Sequence, residues 1–253
     1  MYTFRHFGYI ALSFATNSLK LAFWVRGAWI WLGWEVLVWS GGLVSLLVTR
    51  ERGVECECCG WRGRKFFLYT CLSGMKVHRF KEEVCPSCGA LKRQRQLVSH
   101  VATWLGRSAP ELPRVLDIGP RRGEANWFRR QGLSDVLTVD IRPGIATSLM
   151  DITRMGFRES VFDLVLCSHV LEHVPQDLVA MREMFRVLKP GGTCLIQVPI
   201  GDGLPTTVEY GLPNREDFDH VRAYGLDFQL RLKSVGFNVL YSEGDLFELT
   251  RFP

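Results

Sequence analysis

The chain has 253 residues, 47% of them hydrophobic and 23% charged, and a formal net charge of +5. That length holds one full α/β domain and a smaller appended module, and the composition excludes a largely disordered or fibrous chain. The charge is too small to name a partner but is concentrated. Between Glu51 and Arg107 eleven Lys/Arg stand against five Asp/Glu, a net +6, which suits phosphate, an anionic membrane surface or a solvated helix face.

Residues 1–50 differ from all that follows. Gly27 to Val48 is a 22-residue run with a single charge, Glu35, enough to cross a hydrocarbon core of about 30 Å as a helix. Trp24, Trp29, Trp31, Trp34 and Trp39 crowd its first half, as an interfacial belt would. Arg50, Arg52, Arg62, Arg64 and Lys65 follow, so the positive-inside tendency predicts a cytoplasmic remainder, anchored at the inner face of the cell membrane. A cleavable leader is not expected, because no small-x-small site follows the apolar run. Glu35 and the Gly41-Gly42 pair fit a helix lying on the surface as well as one that spans.

Residues 51–107 read as a basic, Cys-rich module. Six of the eight cysteines lie between Cys56 and Cys88, a density that suits reduced thiols on a metal better than disulfides in a chain of this size. Cys56-x-x-Cys59-Gly60 and Cys85-x-x-Cys88-Gly89 form two knuckles 25 residues apart. Each places two thiolates on one ion, so Cys56, Cys59, Cys85 and Cys88 are predicted to complete a tetrahedral structural zinc site with no open position. Cys58 is a neighbouring competitor and Cys71 fits neither knuckle. Apolar residues at spacings of three and four predict a helix over Ala90–Trp104. Residues 108–113 read as a linker.

From Arg114 strands and helices alternate, the pattern of a parallel sheet. Predicted strands are Val115–Ile118, Val136–Asp140, Ala146–Met150, Phe162–Cys167, Thr193–Val198, Asn238–Ser242 and Leu246–Thr250. Predicted helices are Glu124–Gln131, one from Val170–His173 onward, Asp177–Leu188 and Asp227–Val235. Glu243-Gly244-Asp245 signals a hairpin between the last two strands.

The densest local signal is Val115-Leu116-Asp117-Ile118-Gly119-Pro120-Arg121-Arg122-Gly123, leading from a predicted strand into a predicted helix. Gly119 lets the backbone turn tightly against a ligand, and Gly123 opens a helix whose free N–H groups can receive a carboxylate. Asp140 ends the next strand, where an acid can accept from both hydroxyls of a ribose. Asp151 is placed to meet an adenine amino group, with Ile152 over the ring. Leu188-Lys189-Pro190-Gly191-Gly192 stops a helix and turns into the fifth strand.

Together the segments DIGPRRG, TVDI, DIT, FDLVLCSHVLEHV and VLKPGG, in this order and spacing, resemble the class I S-adenosylmethionine-dependent methyltransferases. The resemblance covers about 140 residues. It implies a Rossmann-like, seven-stranded, mostly parallel sheet with a terminal antiparallel hairpin, over residues 110–253. It implies that Asp117, Gly119 and Gly123 line the methionine end of S-adenosylmethionine. Asp140, beside Ile141, would hold the ribose, Asp151 with Ile152 the adenine, and Ser168 and His169 would lie beside the transferred methyl. The sequence departs from the family at Arg121, where a middle glycine is usual, and between Ile141 and Ala146, too short a stretch for the usual second helix. The Cys-rich module resembles zinc-ribbon caps preceding some methyltransferase domains, with different spacing.

A hydroxyl acceptor would need a base, and His169, His173 and His220 are the candidates. His169, Glu172 and His173 fall on one face if the segment is helical, and the stretch resembles the ELEH segment of ubiquinone-pathway O-methyltransferases with His in place of the first acid. Buried histidines satisfied at a helix start explain the same pattern without chemistry. Asp217 to Gly225 (DFDHVRAYG) resembles a stretch of methyltransferases found with glycan and cell-envelope biosynthesis and offers His220, Arg222 and Tyr224 as substrate contacts. The first reading is methyl transfer to a small molecule, glycan or lipid-linked acceptor at the cytoplasmic membrane face. The second is an RNA methyltransferase using the basic zinc module, with Trp61, Phe66, Phe67 and Tyr69 for base stacking. The third is a non-catalytic binding module that keeps the fold. A nicotinamide enzyme is disfavoured because GxGxxG is missing.

Overall fold

Val115-Leu116-Asp117-Ile118 contains no polar alternation, and all four residues are buried, as a strand covered on both faces must be. In the computed structural model, which describes residues 53–252, this strand is an interior strand of a seven-stranded sheet. In chain order its strands are β5 (Val115–Ile118), β6 (Val136–Asp140), β7 (Ser148–Leu149), β8 (Phe162–Ser168), β9 (Leu188–Gln197), β12 (Asn238–Glu243) and β13 (Leu246–Thr250), preceded in the chain by the short strands β1–β4 given below. The spatial order is β12-β13-β9-β8-β5-β6-β7. β5 pairs in parallel with β6 and β8, as do β6 with β7 and β8 with β9. β13 runs antiparallel to β9 and β12. The predicted α/β architecture, with its closing hairpin, is therefore the observed one.

The helices are α1 (Lys92–Arg107), α2 (Arg122–Arg130), α3 (Asp177–Val187) and α4 (Phe228–Val235). α1 packs against α2, β8 and β9, and α3 packs against α4 and β9. α1 turns Leu97, Val98, Val101 and Trp104 inward, and the Arg107 guanidinium pairs with Glu248 of β13. Phe162, Leu164, Leu188, Ile196, Tyr224 and Phe228 are among the fully buried side chains of the core. Strand order reverses between β6 and β8 around β5, so the crevice outside the carboxyl ends of β5, β6 and β8 is the position where open α/β sheets bind ligands.

Several elements depart from expectation. The third strand shrinks to Ser148–Leu149, because Thr147 and Thr138 spend side-chain hydroxyls on each other's amides at 2.7 and 3.0 Å. The helix predicted from Val170 is only a 3-10 turn, Leu171–His173. A pair not predicted, β10 (Val208–Asn214) with β11 (His220–Ala223), lies between β9 and α4.

The described residues cluster into two compact units, one built mainly of Gly60–Leu91 and the other mainly of Lys92–Pro253. The first contains β1 (Val54–Glu55) paired with β2 (Arg62–Gly63), and a hairpin of β3 (Phe67–Ser73) and β4 (Lys76–Val84). No helix among the described residues is long and apolar enough to cross a membrane. The apolar run at 27–48 lies outside the described residues.

Candidate functional site

The turn leaving β5 is fixed by three features. Gly119 has φ +70, a conformation costly for any residue with a Cβ. A Cβ there would also stand 2.7 Å from the Val170 side chain, so the turn passes close under the segment leaving β8. Arg121 is the N-cap of α2, and the Glu124 carboxylate accepts from the Arg121 amide at 3.1 Å. This capping box places Gly123, buried, in the first turn of the helix.

Beneath this turn two acids are withheld from water. Asp117 and Glu124 are each only 2% exposed, and one oxygen of each has no hydrogen-bond partner. Burial, with the Glu124 charge adding to it, holds the Asp117 carboxyl well above the usual carboxylate range. Burial likewise pushes Glu124 up to about 7. Cations offset them: Arg121, itself lowered by burial and by the nearby Arg93 and Arg142 charges, and Arg93 at the start of α1. Gln94 hydrogen-bonds Glu124. The Arg121 that replaces a glycine therefore lies within the charge cluster of the turn rather than being aimed into bulk water.

Asp140 ends β6 and is 7% exposed. Its Oδ1 accepts from the Arg142 amide and Nε at 2.8 and 3.0 Å, and its Oδ2 accepts from Arg142 Nη2 at 2.8 Å. Burial opposes ionisation, but these bonds prevail and hold the carboxyl below its ordinary range. Ile141, next in the chain, is 70% exposed. Asp151 is exposed, its Oδ1 accepting from the Thr153 amide and hydroxyl at 2.8 Å, whereas Ile152 is buried in the core cluster at 6%.

On the other side of β5, Ser168 ends β8 and donates to Gln197 Oε1 at 2.9 Å. His169 follows with φ +52, a left-handed conformation that breaks any helical register with its successors. The predicted single face of His169, Glu172 and His173 is corrected accordingly. His169 Nδ1 lies 3.2 Å from Glu172, and its Nε2 lies 3.6 Å from Asp245 in the β12–β13 turn. Burial works against its charge, but the two flanking carboxylates win and raise it. Glu172 is 1% exposed, and apart from the facing His169 ring neither oxygen has a hydrogen-bond partner. Its burial penalty is outweighed by His169, which lowers it.

His173 and His220 meet edge to face, ring centroids 4.8 Å apart, and one ligand atom from each lies within 4.8 Å of one from Glu172. Glu172 thus links His169 to the other pair. His220 Nδ1 lies 3.4 Å from Asp217, and the residues before it, Phe218 and Asp219, both have positive φ. Arg222 and Tyr224 are not available to a substrate. Arg222 is 2% exposed and donates to the carbonyls of Leu171, Val174 and Pro175 and to Glu209. Tyr224 is fully buried, its hydroxyl donating to Asp177 at 2.9 Å. Both are scaffold.

The fold therefore brings Asp117, Gly119, Gly123, Asp140 and Ser168 to the carboxyl ends of adjacent strands, and His173 to His220. It sets Ile141 and Asp151 at exposed positions. Sequence reasoning missed Arg93, Gln94, Arg142, Gln197 and Asp245. Of these only Arg142, two residues after a strand-terminal acid, carried a local signal.

Separately, the two CxxCG knuckles adopt the same turn. Cys56 N donates to Trp61 O and Gly60 N to Cys56 O; Cys85 N donates to Ala90 O and Gly89 N to Cys85 O. Both glycines have φ +72. The four sulfurs of Cys56, Cys59, Cys85 and Cys88 lie within 4.8 Å of one another, with Cys56 and Cys88 at 3.7 Å. Four thiolates on a tetrahedral ion with bonds of about 2.3 Å stand roughly 3.8 Å apart, so the donor set fits zinc.

Residues 90–242 match the family model described as "Methyltransferase domain". Among curated proteins the chain is similar to the ubiquinone/menaquinone biosynthesis C-methyltransferase UbiE of Neisseria meningitidis, 32% identical over 101 residues, covering 33% of this chain and 41% of that protein. It is also similar to UbiE of Yersinia pestis, 23% identical over 161 residues, covering 61% and 62%. The matched region thus spans about half the length of these relatives. Among solved structures, the Burkholderia thailandensis 1,6-didemethyltoxoflavin-N1-methyltransferase, bound to 1,6-didemethyltoxoflavin and S-adenosylhomocysteine, superposes with a TM-score of 0.52 at 19% identity. The match covers 64% of this chain and 79% of that one.

Proposed function

Given that this chain belongs to the methyltransferase-domain family and is a class I S-adenosylmethionine-dependent methyltransferase, we propose that it methylates a small, glycan or lipid-linked acceptor at the cytoplasmic face of a membrane. The observation that carries the placement of the reaction is the set of buried, unsatisfied acids around Gly119, at the carboxyl ends of β5 and β8. Buried polar groups are rarely left without partners unless a ligand or solvent supplies them.

In this reading Gly119 gives close backbone approach and the first turn of α2, with Gly123, presents amides to the methionine carboxylate. Arg121 and Arg93 add positive charge on that side. Asp140 receives the ribose hydroxyls, and Ile141, Asp151 and Ile152 border the adenine. Ser168 lies at the methyl end. The cofactor's sulfonium makes the methyl group electrophilic. His220 is the proton acceptor of choice: Asp217 orients Nδ1, leaving Nε2 to take an acceptor proton, with His173 against its ring. His169, clamped between Glu172 and Asp245, positions that segment and is a less suitable base. The acceptor class follows from the UbiE relatives, whose names place them in quinone biosynthesis, and from the apolar run at 27–48. Zinc on Cys56, Cys59, Cys85 and Cys88 would be structural, and equimolar zinc in the purified protein by elemental analysis is the expected result.

The test is calorimetric titration with S-adenosylmethionine, paired with labelled methyl transfer into fractionated cell extract. Asp140→Ala removes two charge-assisted hydrogen bonds, so affinity should fall by roughly 100-fold. Unchanged affinity would remove the ribose assignment. Label entering the RNA fraction rather than the lipid or small-molecule fraction would replace the acceptor reading.

A further inference from the structure

The β3–β4 hairpin has two unlike faces. Directly paired residues share a face. On one face Cys71 pairs with His78 and Tyr69 with Phe80. The Tyr69 and Phe80 rings stack at 6.1 Å, His78 stacks on Phe80 at 6.3 Å, and Cys71 and Ser73 are buried. The opposite face carries Leu68, the Leu72–Val77 pair and the Thr70–Arg79 pair. Here Leu68 is 56%, Leu72 39% and Val77 56% exposed. Met75, in the two-residue loop where Gly74 takes φ +58, is 94% exposed. Arg79 and Lys81 are exposed one and two rungs behind Val77 on this face.

We propose that this face of the hairpin docks the protein on an anionic lipid bilayer, with Met75, Leu72 and Val77 below the headgroups and Arg79 and Lys81 among the phosphates. Contiguous exposed apolar side chains rimmed by charge mark interaction surfaces. Three things select a bilayer. On this face apolar groups lie toward the tip and cations behind them, with the tip residue Lys76 paired to Ser73 on the opposite face, the order of a membrane interface. At about 3.3 Å per residue, Arg79 stands on the order of 10 Å behind the tip, the depth to which interfacial segments insert. From Arg64 to Val84 five Lys/Arg face two Glu, the sign that anionic lipid attracts. RNA would need aromatic rings for stacking, and the hairpin's stacked rings lie on the other face.

The docking stands whether or not the acceptor is lipid-linked. Its test is hydrogen–deuterium exchange on the full chain, with vesicles of phosphatidylcholine alone, vesicles containing one-third phosphatidylglycerol, and a single-stranded RNA oligonucleotide. Amides of residues 70–78 are expected to slow about tenfold with anionic vesicles only. The apolar run at 27–48 can bring the chain to either vesicle, so the lipid-specific local protection is the discriminating signal. L72D/V77D should abolish that protection while leaving S-adenosylmethionine affinity within twofold. R79Q/K81Q keeps the apolar tip and should lower anionic-vesicle partitioning roughly 25-fold, at about fivefold per cation. Protection by RNA but not vesicles, equal protection by both vesicle types, equal protection in wild type and L72D/V77D, or no protection at all would each overturn the proposal.

Discussion

Two polar clusters flank the turn Leu171–His173, and they are treated in opposite ways. On one side Asp117 and Glu124 are buried with one oxygen each left without a hydrogen-bond partner, and His169 and Glu172 have only each other and Asp245. On the other, Arg222 reaches three carbonyls and Glu209, Tyr224 donates to Asp177, and Arg231 bridges Asp177 at 2.7 Å and Glu209 at 2.6 Å. Both clusters are costly to bury. The second recovers that cost within the protein and so is scaffold, holding the turn that carries His173. The first leaves hydrogen-bonding capacity unspent, at the ends of the strands where the proposed nucleoside cofactor would sit. Unsatisfied capacity separates the two regions better than burial or charge does.

The largest expected effect lies in the saturated cluster. Arg222→Ala strips three carbonyls and the carboxylates of Glu209 and, at 3.7 Å, Asp177 of a cation that is 3% exposed in its side chain, and removing one partner of a buried network costs about 3–5 kcal/mol. Chemical denaturation should show that loss, while the folded variant binds S-adenosylmethionine within twofold of wild type. If Arg222→Ala were as stable as wild type but failed to bind, the two clusters would have to exchange roles.

A smaller effect is expected from the unsatisfied side. Glu124 titrates near 7 in the folded protein against an ordinary 4.5. The folded state keeps its proton where the unfolded state has released it, so stability falls as pH rises from about 4.5 to 7 and the loss is complete above that. The difference is on the order of 3 kcal/mol. Glu124→Gln keeps the capping contact and removes this titration, so its unfolding free energy should be flatter between pH 5 and pH 7.5. An identical slope in the variant would return the pH dependence to Asp117 alone.

Legibility in the sequence followed the same division. β5 has the bounds its short, fully buried run predicts, as a strand covered on both faces should, and the bounds of β6 and β13 follow their β-branched and apolar content up to the turn that follows. The Gly119 turn and the place of Asp140 are legible because both follow from where a strand stops. β10 was not: nearly all of it is exposed and it contains Pro213, so no apolar period marks it. His169 was misplaced because a positive φ at a histidine leaves no trace in residue type. The partner Asp245 is remote in sequence and becomes visible only when β13 lies beside β9. The β3–β4 pair has a Ser73-Gly74 turn, but neither FLYTCLS nor KVHRFKEEV alternates apolar with polar residues, so no strand period marks it.

Asp140 is the exception within the unsatisfied region, since Arg142 occupies both of its oxygens, and it sharpens the comparison at the smallest scale. A ribose diol accepted by this carboxylate has to compete with three donors already in place. The Arg142 side chain is 38% exposed, so water screens the pair and the arginine can swing outward at modest cost. Arg142→Ala removes the competitor without removing the acceptor. Asp140 would then rise from its lowered range toward 3.8, still ionised at pH 7, and affinity for S-adenosylmethionine should improve about three- to fivefold, on the order of 1 kcal/mol. That sign is opposite to the one expected for Asp140→Ala. Weakened binding in Arg142→Ala would instead make the guanidinium part of the nucleoside's own cradle, and Asp140 would join the saturated class with Arg142 as its permanent partner.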